Sequence, residues 1–493
     1  MRIIQLLLFF LVSSLAFAQS ATFRVVDANS DEPVPFASVE TGPGKGTISN
    51  EEGYFTLNPE GLSSRAVRIS CMGYRTLELE HDRLRAQSGP IRIQPAAINL
   101  NEVRLTSRVP GAEEIIEQVR QRLSTNYPLS GKAFEIFFRE SEYMQFEDLQ
   151  LELEKASDLN RRALNAADKR LRKLGEDIVR SDARMFLDFK GNLAVVDDTT
   201  AILRVDRATE LTDHKKGYSM DDIQARAQNI ILAHLDSSQT YKVKTGLFKI
   251  EDSISPGKEF MEAENRESDS SEYDYLKGRS QGILGIASWR DGTKLRRFLD
   301  GDLYEYRFVE ATYFDGNYVY AIEFTPRKRK AKYAGTFFVD ATSFAVLKAD
   351  YAYGRGRRGD KVNLKLLLGI KYVENLSRGT AIFKRNEQNT YDPYFIQNEY
   401  GNYIYLHRSL KFIENSRRRK KVRFDFLMEG GVRQRESVLL SPADPAEFHT
   451  LAGYTEPEKI RIQKILQYEP TIWEDTQVIA PLEEMKNFRA GKD

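Results

Sequence analysis

Between residues 303 and 440 the chain alternates runs of apolar, β-branched and aromatic residues with turn residues. Such a pattern fits antiparallel strands and little else. Ten runs qualify, at 303–313, 318–325, 333–339, 344–353, 362–372, 380–385, 394–399, 403–413, 422–428 and 435–440. Short links such as Asp315-Gly316-Asn317 and Asp340-Ala341-Thr342 predict a meander, a long curved sheet or half-barrel with packed helices. A closed outer-membrane barrel is the competing reading. About 50 residues follow the last run without a closing aromatic strand, which favours an open sheet.

Residues 1–18 combine Arg2, an apolar run and Ala16-Phe17-Ala18, and predict a signal peptide. No cysteine follows the small residues at 16–18, so no lipid attachment is indicated. The expected mature chain is exported and carries no transmembrane helix, because no later apolar run reaches about 18 residues. Cys71 is the single cysteine, which rules out an intrachain disulfide and leaves burial to stabilise the fold.

Seven short runs between residues 22 and 95, at 23–26, 37–41, 46–49, 54–57, 67–72, 76–79 and 91–93, predict an all-β sandwich. Asn50-Glu51-Glu52-Gly53 predicts a hairpin turn, with Gly53 at positive φ. Val25-Val26-Asp27, Glu32-Pro33-Val34-Pro35-Phe36-Ala37-Ser38-Val39, Gly46-Thr47, Asn50, Gly53-Tyr54-Phe55, Ile69-Ser70 and Met72-Gly73-Tyr74 follow one another in an order and spacing that resembles the carboxypeptidase-regulatory-like domain. The resemblance implies a transthyretin-like sandwich with a structural or adhesive role, no catalytic residues, and a place in the Gram-negative envelope. On that basis the expected location is the periplasm or the periplasmic face of the outer membrane.

Residues 96–110 read as a linker and 111–493 as an α+β region, so the fold class is mainly β with helices. A helix is predicted at 111–123, stopped by Asn126-Tyr127-Pro128, with a strand at 134–140. These, with Tyr468-Glu469-Pro470-Thr471-Ile472-Trp473, resemble a region of unknown function that follows the same sandwich in envelope proteins. Apolar residues at helical spacing predict one helix over 148–179 and a second over 221–235. The acidic, Ser-rich 262–274 predicts a mobile loop, and residues beyond 440 a helical tail. The meander resembles the lipoprotein-carrier half-barrel in pattern, without a shared motif.

Two literal motifs fail on context. Gly354-Arg355-Gly356-Arg357-Arg358-Gly359 matches a dinucleotide fingerprint but precedes an apolar β-like run where a helix is needed. Gly278-Arg279-Ser280-Gln281-Gly282 matches a nucleophile elbow, but no buried strand precedes it. The five histidines are scattered, so no catalytic, metal or cofactor residues are assigned.

The 73 basic and 72 acidic residues nearly cancel, and nucleic acid is not an expected partner. The arrangement of charge says more. Alternate turns of the meander would place Arg327, Lys328, Arg329 and Lys330 on one rim with Arg355, Arg357 and Arg358, and with Arg417, Arg418, Arg419, Lys420 and Lys421. Such a rim suits an anionic membrane surface or an acidic envelope protein. The function expected is non-enzymatic binding or scaffolding in the envelope. A carrier of lipid or another amphiphile is the alternative, and a hydrolase with a site not visible in sequence is the second.

Overall fold

The computed structural model of the chain describes residues 21–57, 65–96, 110–181, 183–197, 200–213, 229, 234–236, 238–245, 248–255, 271–473 and 478–490. The expected signal peptide and nearly all of the expected linker and of the helix at 221–235 lie outside them. Residues 21–93 supply β1 (Ala21–Asp27), β2 (Ser38–Gly42), β3 (Lys45–Ile48), β4 (Tyr54–Leu57), β5 (Ala66–Ser70), β6 (Leu77–Glu80), a short helix α1 (His81–Arg85) and β7 (Ile91–Ile93). Two sheets result, ordered β4-β1-β7 and β3-β2-β5-β6. Alternate residues of both, among them Phe23, Val25, Val39, Phe55, Val67 and Ile69, point into one shared core.

The turn after β3 does not form the expected hairpin. β3 pairs with β2 while β4 pairs with β1, so the turn carries the chain from one sheet to the other. Gly53 does take φ +79, and a Cβ there would clash with the Val25 carbonyl.

The rest of the chain builds β8 (Lys132–Ala156), β9 (Ala183–Val195), β10 (Ala201–Thr212), β11 (Tyr241–Thr245), β12 (Phe248–Ile254), β13 (Tyr304–Phe314), β14 (Asn317–Pro326), β15 (Tyr333–Asp340), β16 (Val346–Tyr353), β17 (Lys361–Leu364), β18 (Ile370–Arg385), β19 (Tyr391–Glu414), β20 (Lys421–Pro442) and β21 (Gln463–Ile465). All 14 belong to one sheet, with the path β13-β14-β15-β16-β18-β19-β20-β8-β9-β10-β21. It is mixed, because β10 and β21 run parallel. It is open, since its end strands β13 and β21 are not neighbours.

The sheet therefore starts at residue 132, well before the expected 303. The helix expected over 148–179 is half strand: Leu149, Leu151 and Leu153 alternate along β8 and pair with β20. Only α3 (Arg161–Val179) is helical, capped by Asn160, whose side chain accepts from the Ala163 amide at 2.9 Å. The expected loop at 262–274 ends in helix: Ser271 caps α4 (Glu272–Ile286), and 262–270 lie outside the described residues. The ten expected runs condense into eight strands. Those at 394–399 and 403–413 are one strand, β19, and those at 422–428 and 435–440 are β20. The run at 362–372 divides into β17, the single-turn helix α6 (Lys365–Leu368) and the start of β18. Beyond 442 the expected helical tail is only partly helical, with α7 (Pro445–Ala452), strand β21 and a short α8 (Glu483–Asn487).

Strand alternation separates the two faces. Phe138, Phe189, Phe324, Phe337 and Ile396 lie on the face covered by α2 (Ala112–Asn126), α4 and α5 (Lys294–Phe298). Farther along the same face α3 packs on Leu149 and Phe424, and Gly175 admits the close approach because a Cβ would clash with the Leu149 carbonyl. The neighbours Phe137 and Phe395 point the other way. There they pack with Ile48 of the N-terminal unit and with Trp473 and Ile479.

Candidate functional site at the basic end of the sheet

The strand directions fix where the basic clusters fall. Tyr333 pairs with Tyr353, Ala352 with Arg378, and Arg378 with Glu399. Loops 327–332, 354–360 and 415–420 consequently all leave the sheet in one direction. The first two loops interlock: the Gly354 amide donates to the Lys332 carbonyl at 2.9 Å, and Arg357 Nη1 to the Arg329 carbonyl at 3.3 Å. The third stands apart. Fourteen residues of β19, Glu399 to Ile413, separate it from the level of the others, roughly 45 Å along the strand at about 3.3 Å per residue.

Arg327, Lys328, Arg329, Lys330, Arg355, Arg358, Arg417, Arg418 and Arg419 are exposed, and none forms an ion pair with a described acid. Lys420 bonds Asp158 at 3.0 Å, which holds its ammonium above the usual lysine range. The Lys421 backbone exchanges hydrogen bonds with Ser157, tying the third loop to the end of β8. Exposed guanidinium and ammonium groups that face one direction and pair with no described acid attract anions at a distance set by ionic strength.

The dinucleotide-like motif sits in the second loop and has a structural purpose. Gly356 takes φ +72, and at Gly359 a Cβ would clash with the Glu374 carboxylate. Glu374 accepts from the Asp360 amide at 2.9 Å, closing the loop against β18. In the elbow-like motif Ser280 lies inside α4, buried, and donates to the Leu276 carbonyl at 2.8 Å. Its neighbour Arg279 is the residue with partners. Arg279 Nε lies 3.0 Å from Glu140 and its Nη2 2.6 Å from Glu436, while Tyr275 donates to Glu140 at 2.8 Å. The spacing of Tyr273, Leu276, Ser280 and Ile283 marks this helix in the sequence, but the acidic stretch before it conceals the start.

At the opposite end of the sheet a cleft of about 1130 Å³ opens between α2, α4 and the loop after α4. Its wall mixes the rings of Tyr127, Trp289 and Tyr391 with Arg120, Arg296 and Asp291. The space between sheet and helices beyond it is filled by the aromatic core. Among the described residues no group of three or more His, Cys, Asp or Glu side chains is placed to hold a metal, and no helix is long and apolar enough to cross a membrane.

On the other face the N-terminal unit is fastened to the sheet by the turn after β3. Asn50 Oδ1 accepts from the amides of Glu52 and Tyr54, both at 2.9 Å, and its amide nitrogen donates to the carbonyls of Ala480 and Pro481. Thr47 donates to the Val478 carbonyl at 2.8 Å, Glu51 pairs with Arg435 at 3.1 Å, and Lys384 with Glu40 at 2.6 Å. Asn50 and Gly53 are thus joints as well as turn residues.

Residues 24–105 match the model of the CarboxypepD_reg-like domain. A further region follows that domain. No curated protein matches the chain. Among solved structures, a LolA superfamily protein from Nitrosomonas europaea is 10% identical with a TM-score of 0.19, covering 64% of this chain and 92% of its own. A putative outer membrane lipoprotein-sorting protein domain from Vibrio parahaemolyticus is 11% identical at TM-score 0.18, covering 64% and 93%. The MucA/MucB complex of Pseudomonas aeruginosa gives 9% at 0.14, covering 65% and 93%. Scores this low carry no argument about fold or function here.

Proposed function

We propose that this chain is an exported envelope protein that binds or scaffolds at an anionic surface and performs no catalysis. The observation that carries the reading is the six exposed cations of the interlocked loops 327–332 and 354–360, which pair with no described acid, with three more in loop 415–420 farther along the same direction. The CarboxypepD_reg-like domain lies against the sheet's other face, away from these loops among the described residues. Lipid phosphates or an acidic envelope protein would meet the loops by charge.

The test is flotation of the mature chain with anionic and zwitterionic vesicles across a salt series. Binding confined to anionic vesicles and lost at high salt supports the reading. Equal binding to both, or none, sinks it. The carrier alternative draws on the cleft beside Trp289, but arginines and aspartate share that wall and the apolar interior is already filled.

A further inference from the structure

Seven large hydrophobic side chains are exposed among the described residues, and three of them, Val362, Leu364 and Leu366, fall within five residues of one hairpin. That clustering is unlike the scattered exposure expected of an ordinary surface. Leu366 at the tip is fully exposed, at 102%. The register places Val362 opposite Tyr372 and Leu364 opposite Ile370, on one face of the hairpin.

The hairpin is anchored. Gly369, at φ +60, closes the tip, and its carbonyl accepts from the His407 amide at 2.8 Å. Lys365 lies between Leu364 and Leu366, Lys371 stands opposite Asn363 on the face away from Val362 and Leu364, and rings of β19 hold both lysines. Lys365 Nζ lies 3.6 Å from the centre of the Tyr405 ring, and Lys371 Nζ 4.5 Å from that of Tyr403. Neither lysine pairs with a described acid, and the tip points the same way as the loop carrying Arg417, Arg418 and Arg419.

We infer that the hairpin Lys361–Lys371 is a membrane-docking finger, which lowers Leu364 and Leu366 into the headgroup and acyl boundary of an anionic phospholipid bilayer while Lys365 and Lys371 meet its phosphates. The inference rests on the anionic-surface reading above and adds the element that enters the bilayer. Exposed apolar residues and cations on one hairpin tip are the arrangement that interfacial binding rewards, since burial of apolar area and attraction to anionic lipid act together. An acidic protein partner would use the lysines but would leave a fully exposed leucine without a role.

The test uses the Leu366→Trp variant with phosphatidylglycerol-containing vesicles, some carrying brominated acyl chains. The two native tryptophans, Trp289 and Trp473, are buried, so the parent protein is the blank. Quenching of the new tryptophan, with partitioning weakened about tenfold or more by Leu364→Asp/Leu366→Asp, is the expected result. An unchanged melting temperature of that variant shows that it folds. Binding to anionic vesicles with no quenching and no effect of the aspartates overturns the finger and leaves the electrostatic reading standing. Failure of the parent to bind anionic vesicles overturns both.

Discussion

Arg139 and Asp188 form a two-pronged ion pair beneath the C-terminal segment, Nε to Oδ1 at 2.8 Å and Nη2 to Oδ2 at 2.6 Å, with both side chains buried. The remaining nitrogen, Nη1, donates to the carbonyls of Ile479 and Ala480 at 3.0 Å. One guanidinium thereby joins β8, β9 and the segment that the N-terminal unit rests on. Breaking a buried pair strands a charge, so Asp188→Ala is expected to cost about 3–5 kcal/mol. Denaturant titration of the variant measures it; a loss below about 1 kcal/mol would contradict the arrangement.

Asn50 should act as a hinge pin. Asn50→Asp keeps the acceptor that Glu52 and Tyr54 use but sets a carboxylate against the carbonyls of Ala480 and Pro481. The expected loss is about 1–3 kcal/mol, with faster hydrogen exchange across residues 478–487 while the core strand β1 stays protected. Uniform loosening of both units would argue against a local joint.

Gly359→Ala should disorder the second basic loop, since the new methyl meets Glu374, at about 1–3 kcal/mol. Gly278→Ala, where nothing lies within reach of a Cβ, serves as the control and should be neutral or mildly stabilising in its helix. Equal behaviour of the two in thermal melts would remove the structural role given to the motif.

Glu436 provides a pH test. Burial first, and then Glu140 nearby, raise its pKa above the ordinary 4.5, while Arg279, Asn398 and Lys294 oppose the shift. A carboxyl with a raised folded pKa holds its proton more tightly when folded. Its contribution is full below the unfolded value and is lost as pH rises through the folded one. The parent should therefore lose stability relative to Glu436→Gln as pH climbs from about 4.5. A flat difference between the two across that range would show that Arg279 fully offsets burial.

How far the sequence could be read depended on the range of the interaction. Periodicity located β13 to β16 and the buried stripe Ile115, Ile116, Val119 and Leu123 of α2, because each is a local pattern. Glycine misled where strands approach closely. Gly401-Asn402 and Gly430-Gly431 look like turns, yet they lie inside β19 and β20, where a Cβ at Gly430 or Gly431 would clash with the carbonyl of Gln145 or Asn402. Asn375-Leu376-Ser377 is likewise a bulge in β18, with the register shifting between Glu374 and Leu376. The shared direction of the basic loops matches the count of alternate turns only because errors in that count cancel: 354–360, 375–377 and 400–402 do not reverse the chain, and the reversal at 365–369 was not counted. Their separation along β19 lay outside the count, since it depends on strand lengths that those glycines disguised. Arg279 and the hairpin at 361–371 were missed for a related reason: a literal motif drew attention to Ser280, and the run at 362–372 was read as one continuous strand.

The joint between Asn50 and the carbonyls of Ala480 and Pro481 spans 430 positions of sequence. During synthesis from the N-terminus, the first unit leaves the ribosome long before the strip it must rest on exists. Its exposed seam then waits, open to chaperones or to another copy, until translation supplies the missing piece. A chain cut short before residue 478 would hold that seam open permanently, so the joint reports whether the message was read through.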